Sequence, residues 1–119
     1  MSLYRQTTEA RERRDDCARL QQEYPHHIPL IVEYREWSRA LLLALPHDST
    51  VAELTETVRQ AFDVPRRRLQ LFVEGNEAGE AAPVLPLYEQ FREDDGFLYV
   101  IWTHKSRQHA ERVCELAIS

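Results

Sequence analysis

The chain has 119 residues, 15 basic and 20 acidic side chains, and a formal net charge of −5, with 43% apolar residues, which suits one domain with a single core. The acidic balance speaks against a general nucleic-acid binder, which needs a basic face for phosphates. The longest apolar runs, residues 40–45 and 97–102, are too short to span a bilayer, and Cys17 and Cys114 make neither a disulfide framework nor a metal-ligand spacing.

Thr7 and Thr8 read as caps of a helix whose first turn carries Glu9 and Glu12, acidic groups suited to the positive end of the helix dipole. Its apolar positions are sparse: Ala10, Cys17, Leu20 and finally Tyr24. So thin a stripe predicts a helix lying on the domain rather than at its centre. Pro25 stops it. Residues 28–34 are apolar and β-branched and predict a strand, with Pro29 tolerable near the start or at an edge. Residues 41–45 predict a second strand, and the short polar connection around 35–39 predicts an antiparallel pair.

Thr50 and Glu53 form a capping box, each side chain satisfying an orphan amide of a first helical turn. Val51, Leu54, Val58, Ala61 and Phe62 then repeat at helical spacing, until Asp63, Val64 and Pro65 end the helix. Residues 69–74 predict a third strand closed by Gly75 and Asn76. A long proline-containing connection follows, with Pro86 expected at the first position of a short helical turn through Leu87, Tyr88 and Phe91. Asp95 and Gly96 turn the chain into a last strand, residues 97–103, apolar enough to be central. Beyond it Ala110, Val113, Cys114 and Ala117 recur at helical spacing and predict an amphipathic tail helix. The order, helix then β-β-α-β-(short α)-β, describes an α+β roll of the β-grasp kind. The organisation is then an N-terminal helical extension (1–24), a β-grasp domain (25–103) and a tail (104–119). The roll by itself assigns no activity.

Four segments carry a resemblance. Glu23-Tyr24-Pro25-His26-His27-Ile28-Pro29-Leu30-Ile31-Val32-Glu33 resembles the YPxRxPVIVE segment of the autophagy ubiquitin-like modifiers, the family of the GABA-receptor-associated protein and the microtubule-associated light chain. Leu45-Pro46-His47-Asp48-Ser49-Thr50-Val51 resembles that family's VPxDLTV. Leu87-Tyr88-Glu89-Gln90 and Asp94-Asp95-Gly96-Phe97-Leu98-Tyr99-Val100 resemble its LYxEH and EDGFLYV. Order and spacing agree from about Ala10 to Trp102.

The resemblance implies a ubiquitin-like fold with two N-terminal helical elements, one of them short or missing here. It also implies binding of short peptides that carry an aromatic residue and, three positions later, an aliphatic one, by addition of a strand to the edge of the second strand. Carried over by position, the aromatic pocket is lined by Asp16, Leu20, Pro29, Leu42 and Phe97. The aliphatic pocket is lined by Leu43, Leu45, Pro46, Leu54 and Val58. The residues themselves agree: positions 41–45 are apolar throughout, so both faces of that strand are expected to be covered, whereas a solvated edge is usually blunted with charge. The implied partners are peptide motifs of autophagy receptors, the family's processing and conjugation enzymes and, for a processed chain, phosphatidylethanolamine. The implied location is the cytoplasm and the autophagosomal membrane.

The chain also departs from the family. Where relatives carry lysines just before and within the second strand, it has Ala40, Leu41 and Leu42, with Arg39 or His27 as partial substitutes. Ala61 replaces an arginine beside the aliphatic pocket. The register puts His109 at the glycine that relatives join to lipid, and no glycine follows Gly96, so the usual processing route is not expected.

Other candidate chemistry is thin. His26 and His27 lack a spaced third ligand, so no metal is expected, and no cofactor either. Cys17 has no base or orienting partner nearby and reads as a small buried or half-buried thiol on a helix stripe. Arg66-Arg67-Arg68 reads as a solvated loop with an alternative as a dock for an acidic partner, and Trp37 as a contact residue or a lid on the core. With no acid/base pair or nucleophile constellation, an enzyme is not expected. The alternative function is a β-grasp interaction scaffold outside autophagy that uses its tail helix as the partner site.

Overall fold

A computed structural model describes residues 2–34, 40–65 and 69–104. Its elements are α1 (Leu3–Thr7), α2 (Ala10–Glu23), β1 (His27–Tyr34), β2 (Ala40–Pro46), α3 (Val51–Phe62), β3 (Leu69–Val73), β4 (Asn76–Glu77), α4 (Val84–Phe91) and β5 (Leu98–His104). The five strands form one mixed sheet in the order β2-β1-β5-β3-β4, with β1 and β5 parallel and the other pairs antiparallel. This is the expected β-grasp roll, and β5 is central as its apolar sequence predicts.

The two faces of the sheet carry separate cores. On one side α3 lays Val51, Leu54 and Val58 over Ile28, Leu30, Val32, Leu45, Leu71, Val100 and Trp102. On the other, the N-terminal helices bring Tyr4 and Cys17 against Ile31, Phe97 and Tyr99. Alternation along β1 produces this division, because successive side chains of a strand point to opposite faces. All six residues from Ile28 to Glu33 are buried because β1 is covered on both sides. Pro29 is accommodated near the start, as expected: pairing with β5 begins one residue later, at Leu30.

The capping box forms as read from sequence, with the Glu53 amide donating to Thr50 Oγ1 and the Thr50 amide to Glu53 Oε1, both at 3.4 Å. Asp63 in the left-handed region (φ 55°) closes α3.

Four local expectations are corrected. Thr7 and Thr8 do not cap the long helix: Thr7 ends α1 and its hydroxyl donates to Leu3 O, Thr8 is extended, and α2 starts after Glu9 with no side-chain cap. The resemblance's two helical elements are thus both present. Second, the turn after β3 is Glu74-Gly75, both at positive φ (51° and 78°), one residue earlier than expected. That two-residue turn suits a tight hairpin and pairs β3 with the unexpected β4. Third, α4 begins at Val84, so Pro86 is its third residue; a first-turn position still needs no intrahelical amide. Fourth, β2 is not covered on both faces, since Leu42 is 39% exposed. Trp37, the Arg66–Arg68 run, Cys114, His109 and the tail helix lie outside the described residues.

Candidate functional site

β2 is the end strand of the sheet and, among the described residues, pairs with β1 alone. Its outer side therefore offers unpaired amides and carbonyls to a further strand. From Ala40 to Pro46 it carries no charged side chain, proline stands only at its end, and no charge blunts its edge.

The antiparallel register sorts the side chains of β2. Leu41, Leu43 and Leu45 face Val32, Leu30 and Ile28, on the α3 side; Ala40, Leu42 and Ala44 face Glu33, Ile31 and Pro29, on the α2 side. The ten residues expected at the site divide along the same line. Asp16, Leu20, Pro29, Leu42 and Phe97 belong to the α2 side, and Leu43, Leu45, Leu54 and Val58 to the α3 side, with Pro46 exposed at the end of the strand. Pro29, Phe97 and Val58 are fully buried, with Leu54 nearly so, and can form only the floors of such sites. Leu42 is exposed, while Leu20, Leu43 and Asp16 are half-buried at the surface.

An aromatic and an aliphatic residue three positions apart in an extended peptide point to opposite sides of it, because the side-chain period of a strand is two. A peptide added to β2 would turn one of these two residues toward α2 and the other toward α3. The apolar residues on both sides of β2 match that odd spacing. Leu42 and Leu45 are themselves three positions apart and face opposite ways.

The wall on the α2 side is fixed by a polar network that sequence reasoning missed. Tyr4 donates its hydroxyl to Asp16 Oδ2 at 2.6 Å and its amide to Glu33 Oε2 at 3.1 Å. Arg13 donates from Nε to Asp95 Oδ2 at 3.0 Å, and its Nη1 reaches the carbonyls of Arg5 and Thr8. Asp95 also accepts from the Tyr99 hydroxyl and the Phe97 amide. Burial, then these carboxylate contacts, push both phenols above their ordinary range and keep them protonated as donors. The Arg5 guanidinium lies 4.3 Å from the Tyr99 ring centroid and pairs with Glu93 at 3.4 Å. The one sequence signal for this network is the acidic pair Asp94-Asp95 facing an arginine-rich helix.

Cys17 is buried, and burial with the nearby Asp95 charge pushes its thiol up to about 11, which removes nucleophilic character near neutrality. Among the described residues no cluster of three or more His, Cys, Asp or Glu could hold a metal, and no helix is long and apolar enough to cross a membrane.

Comparison with known proteins points one way. The family model for the autophagy protein Atg8, ubiquitin-like, matches residues 12–108. Autophagy-related protein 8d of Arabidopsis thaliana is 32% identical over 99 residues, covering 77% of this chain and 82% of the relative. Protein lgg-2 of Caenorhabditis elegans is 31% identical over 100 residues, covering 77% of each. The crystal structure of Trypanosoma brucei ATG8 superposes with a TM-score of 0.80 at 21% identity, covering 89% of this chain and 97% of that one, a likeness of fold.

Proposed function

This chain belongs to the Atg8 family of autophagy ubiquitin-like proteins, and from that premise we propose that it is a non-catalytic adaptor that captures aromatic-x-x-aliphatic peptide segments along the free margin of β2. The segments belong to cargo receptors or adaptors met in the cytoplasm and at the autophagosomal membrane. Asp16, Leu20, Pro29, Leu42 and Phe97 receive the aromatic side chain. Leu43, Leu45, Pro46, Leu54 and Val58 receive the aliphatic one.

The observation that carries the reading is the end position of β2, uncharged along its length, with the two residue groups on opposite faces. An odd-spaced motif needs this arrangement; an even-spaced one would need both groups on one face. The backbone of the peptide supplies affinity through hydrogen bonds and its anchors supply specificity. Because the register puts His109 at the family's conjugated glycine, the proposal rests on the domain alone and requires no link to phosphatidylethanolamine.

Calorimetric titration with an aromatic-x-x-aliphatic peptide tests it. Leu43→Arg is expected to weaken binding by about 1–3 kcal/mol, because the peptide's aliphatic side chain would meet an unpaired charge. Unchanged heats at millimolar peptide for the parent chain overturn the adaptor reading.

A further inference from the structure

We propose that the bare margin of β2 receives β2 of a second copy of this chain, as an antiparallel pair about a two-fold axis. The pairing doubles the five-stranded sheet and covers the same backbone groups that the adaptor reading gives to a peptide, so the two occupants exclude each other.

Two observations set which backbone groups of β2 turn outward. Pro29 lies opposite Ala44 and has no amide hydrogen, and the His47 amide donates to the His26 carbonyl at 3.2 Å. Residues facing each other in an antiparallel pair alternate between exchanging hydrogen bonds and turning them away. Leu41, Leu43, Leu45 and His47 therefore bond to β1, while Ala40, Leu42 and Ala44 turn amide and carbonyl outward. Pro46 turns out a carbonyl alone.

The strand suits a copy of itself. With the axis at Leu43, every residue from Ala40 to Pro46 meets a residue of the same stretch, and no position sets like charges opposite each other. Leu42 and Ala44 of each copy exchange hydrogen bonds with Ala44 and Leu42 of the other, and each Ala40 amide reaches a Pro46 carbonyl, about six bonds in all. On the α3 side Leu41, Leu43 and Leu45 run on into the same three leucines of the second copy. On the α2 side the exposed Leu42 falls across from the small Ala44, a large residue against a small one.

The flanking helices do not oppose this approach. The axis stands perpendicular to the sheet, so α2 comes to the same face as its copy, and α3 likewise. α2 carries four arginines and four carboxylates, and on α3 Arg59 pairs with Glu56 at 2.6 Å. The contact is isologous and closes at two copies. An interface confined to a strand margin lies below the standard size, so a dissociation constant of about 0.1–1 mM is expected.

Sedimentation equilibrium of the full chain, from about 10 μM to about 1 mM, tests the proposal across that range. The weight-average mass is expected to rise from 14.0 kDa toward twice that value. A mass that stays at one copy, or that grows past two, overturns the inference. Ala44→Pro removes an outward amide that β1 does not use, at an edge position where proline is tolerated, and is expected to weaken pairing at least about tenfold. Ala44→Lys keeps the amide, sets a charge against Leu42 of the second copy, and is expected to weaken pairing similarly should the proline variant not fold. Pairing at the parent strength in either folded variant overturns the inference. In the parent, hydrogen exchange at the amides of Leu42 and Ala44 is expected to slow with concentration while that of Leu41 and Leu43 does not; slowing confined to β3 and β4 contradicts it. Saturating aromatic-x-x-aliphatic peptide is expected to return the chain to the mass of one copy plus peptide. A dimer that persists with peptide bound overturns this inference and leaves the adaptor reading standing. A dimer formed through Ala44 by a chain that binds no peptide overturns the adaptor reading and supports the pairing.

Discussion

The Arg13 guanidinium grips the Asp95 carboxylate at 3.0 Å across 82 residues of sequence, and both side chains are largely withdrawn from solvent (17% and 2% exposed). This pair fastens α2 to the turn that starts β5. Asp95 in turn orients the amide of Phe97, which is buried on the same side of the sheet.

Removing one member of such a pair leaves the other buried and uncompensated. Asp95→Ala is expected to cost about 3 kcal/mol, since the Arg13 Nε–H, the Tyr99 hydroxyl and the Phe97 amide all lose their acceptor and the guanidinium loses its counter-charge. Urea denaturation measures the loss. Asp95→Asn keeps an acceptor and is expected to cost less.

Gly96 brings the chain under α2. It sits at φ +95°, and a Cβ built there would lie 2.7 Å from Cys17 Sγ. Gly96→Ala is therefore expected to destabilise the fold by about 1–3 kcal/mol, from backbone strain and contact together. Adding Cys17→Ala should recover the contact part and leave the backbone part, a partial rescue visible in thermal melts.

The Cys17 thiol gives an alkaline signature. Folding raises it from an ordinary 9.0 to about 11, so the folded chain holds a proton that the unfolded chain releases between those values. Its contribution is complete below pH 9 and is lost as pH rises toward 11. Stability should fall between pH 9 and pH 11, and the Cys17→Ala variant should show a shallower fall. Tyr4 and Tyr99, raised still higher, act in the same direction. Alkylation at pH 8 should leave Cys17 unmodified in the folded chain.

Much of this was legible in the residues. The capping box of Thr50 and Glu53 and the apolar spacing of α3 are local signals, and local structure obeys them. The uninterrupted apolar run of β2 marks a strand without the usual edge protection, although its reason is a bare margin with Leu42 exposed rather than cover on both faces. Other features depend on contacts far apart in the chain. α1 has five residues and is held by Tyr4 on Glu33 and by Arg13 on the carbonyls of Arg5 and Thr8. No propensity sum announces so short a helix. β4 has two residues and depends on Glu74 adopting positive φ, which glutamate rarely signals. The division of the site into two faces needed the β1–β2 register, which a sequence pattern suggests and backbone pairing determines.

The most direct measurement is an NMR titration of the labelled chain with two peptides that differ by one residue between an aromatic and an aliphatic anchor. The account predicts that the peptide with two intervening residues shifts the amides of Leu20, Leu42, Leu43 and Leu45, and that the peptide with one binds about tenfold more weakly, or ~1.4 kcal/mol, because its anchors fall on one side of the added strand. Equal binding of the two peptides, or shifts confined to the far edge at β3 and β4, would contradict it.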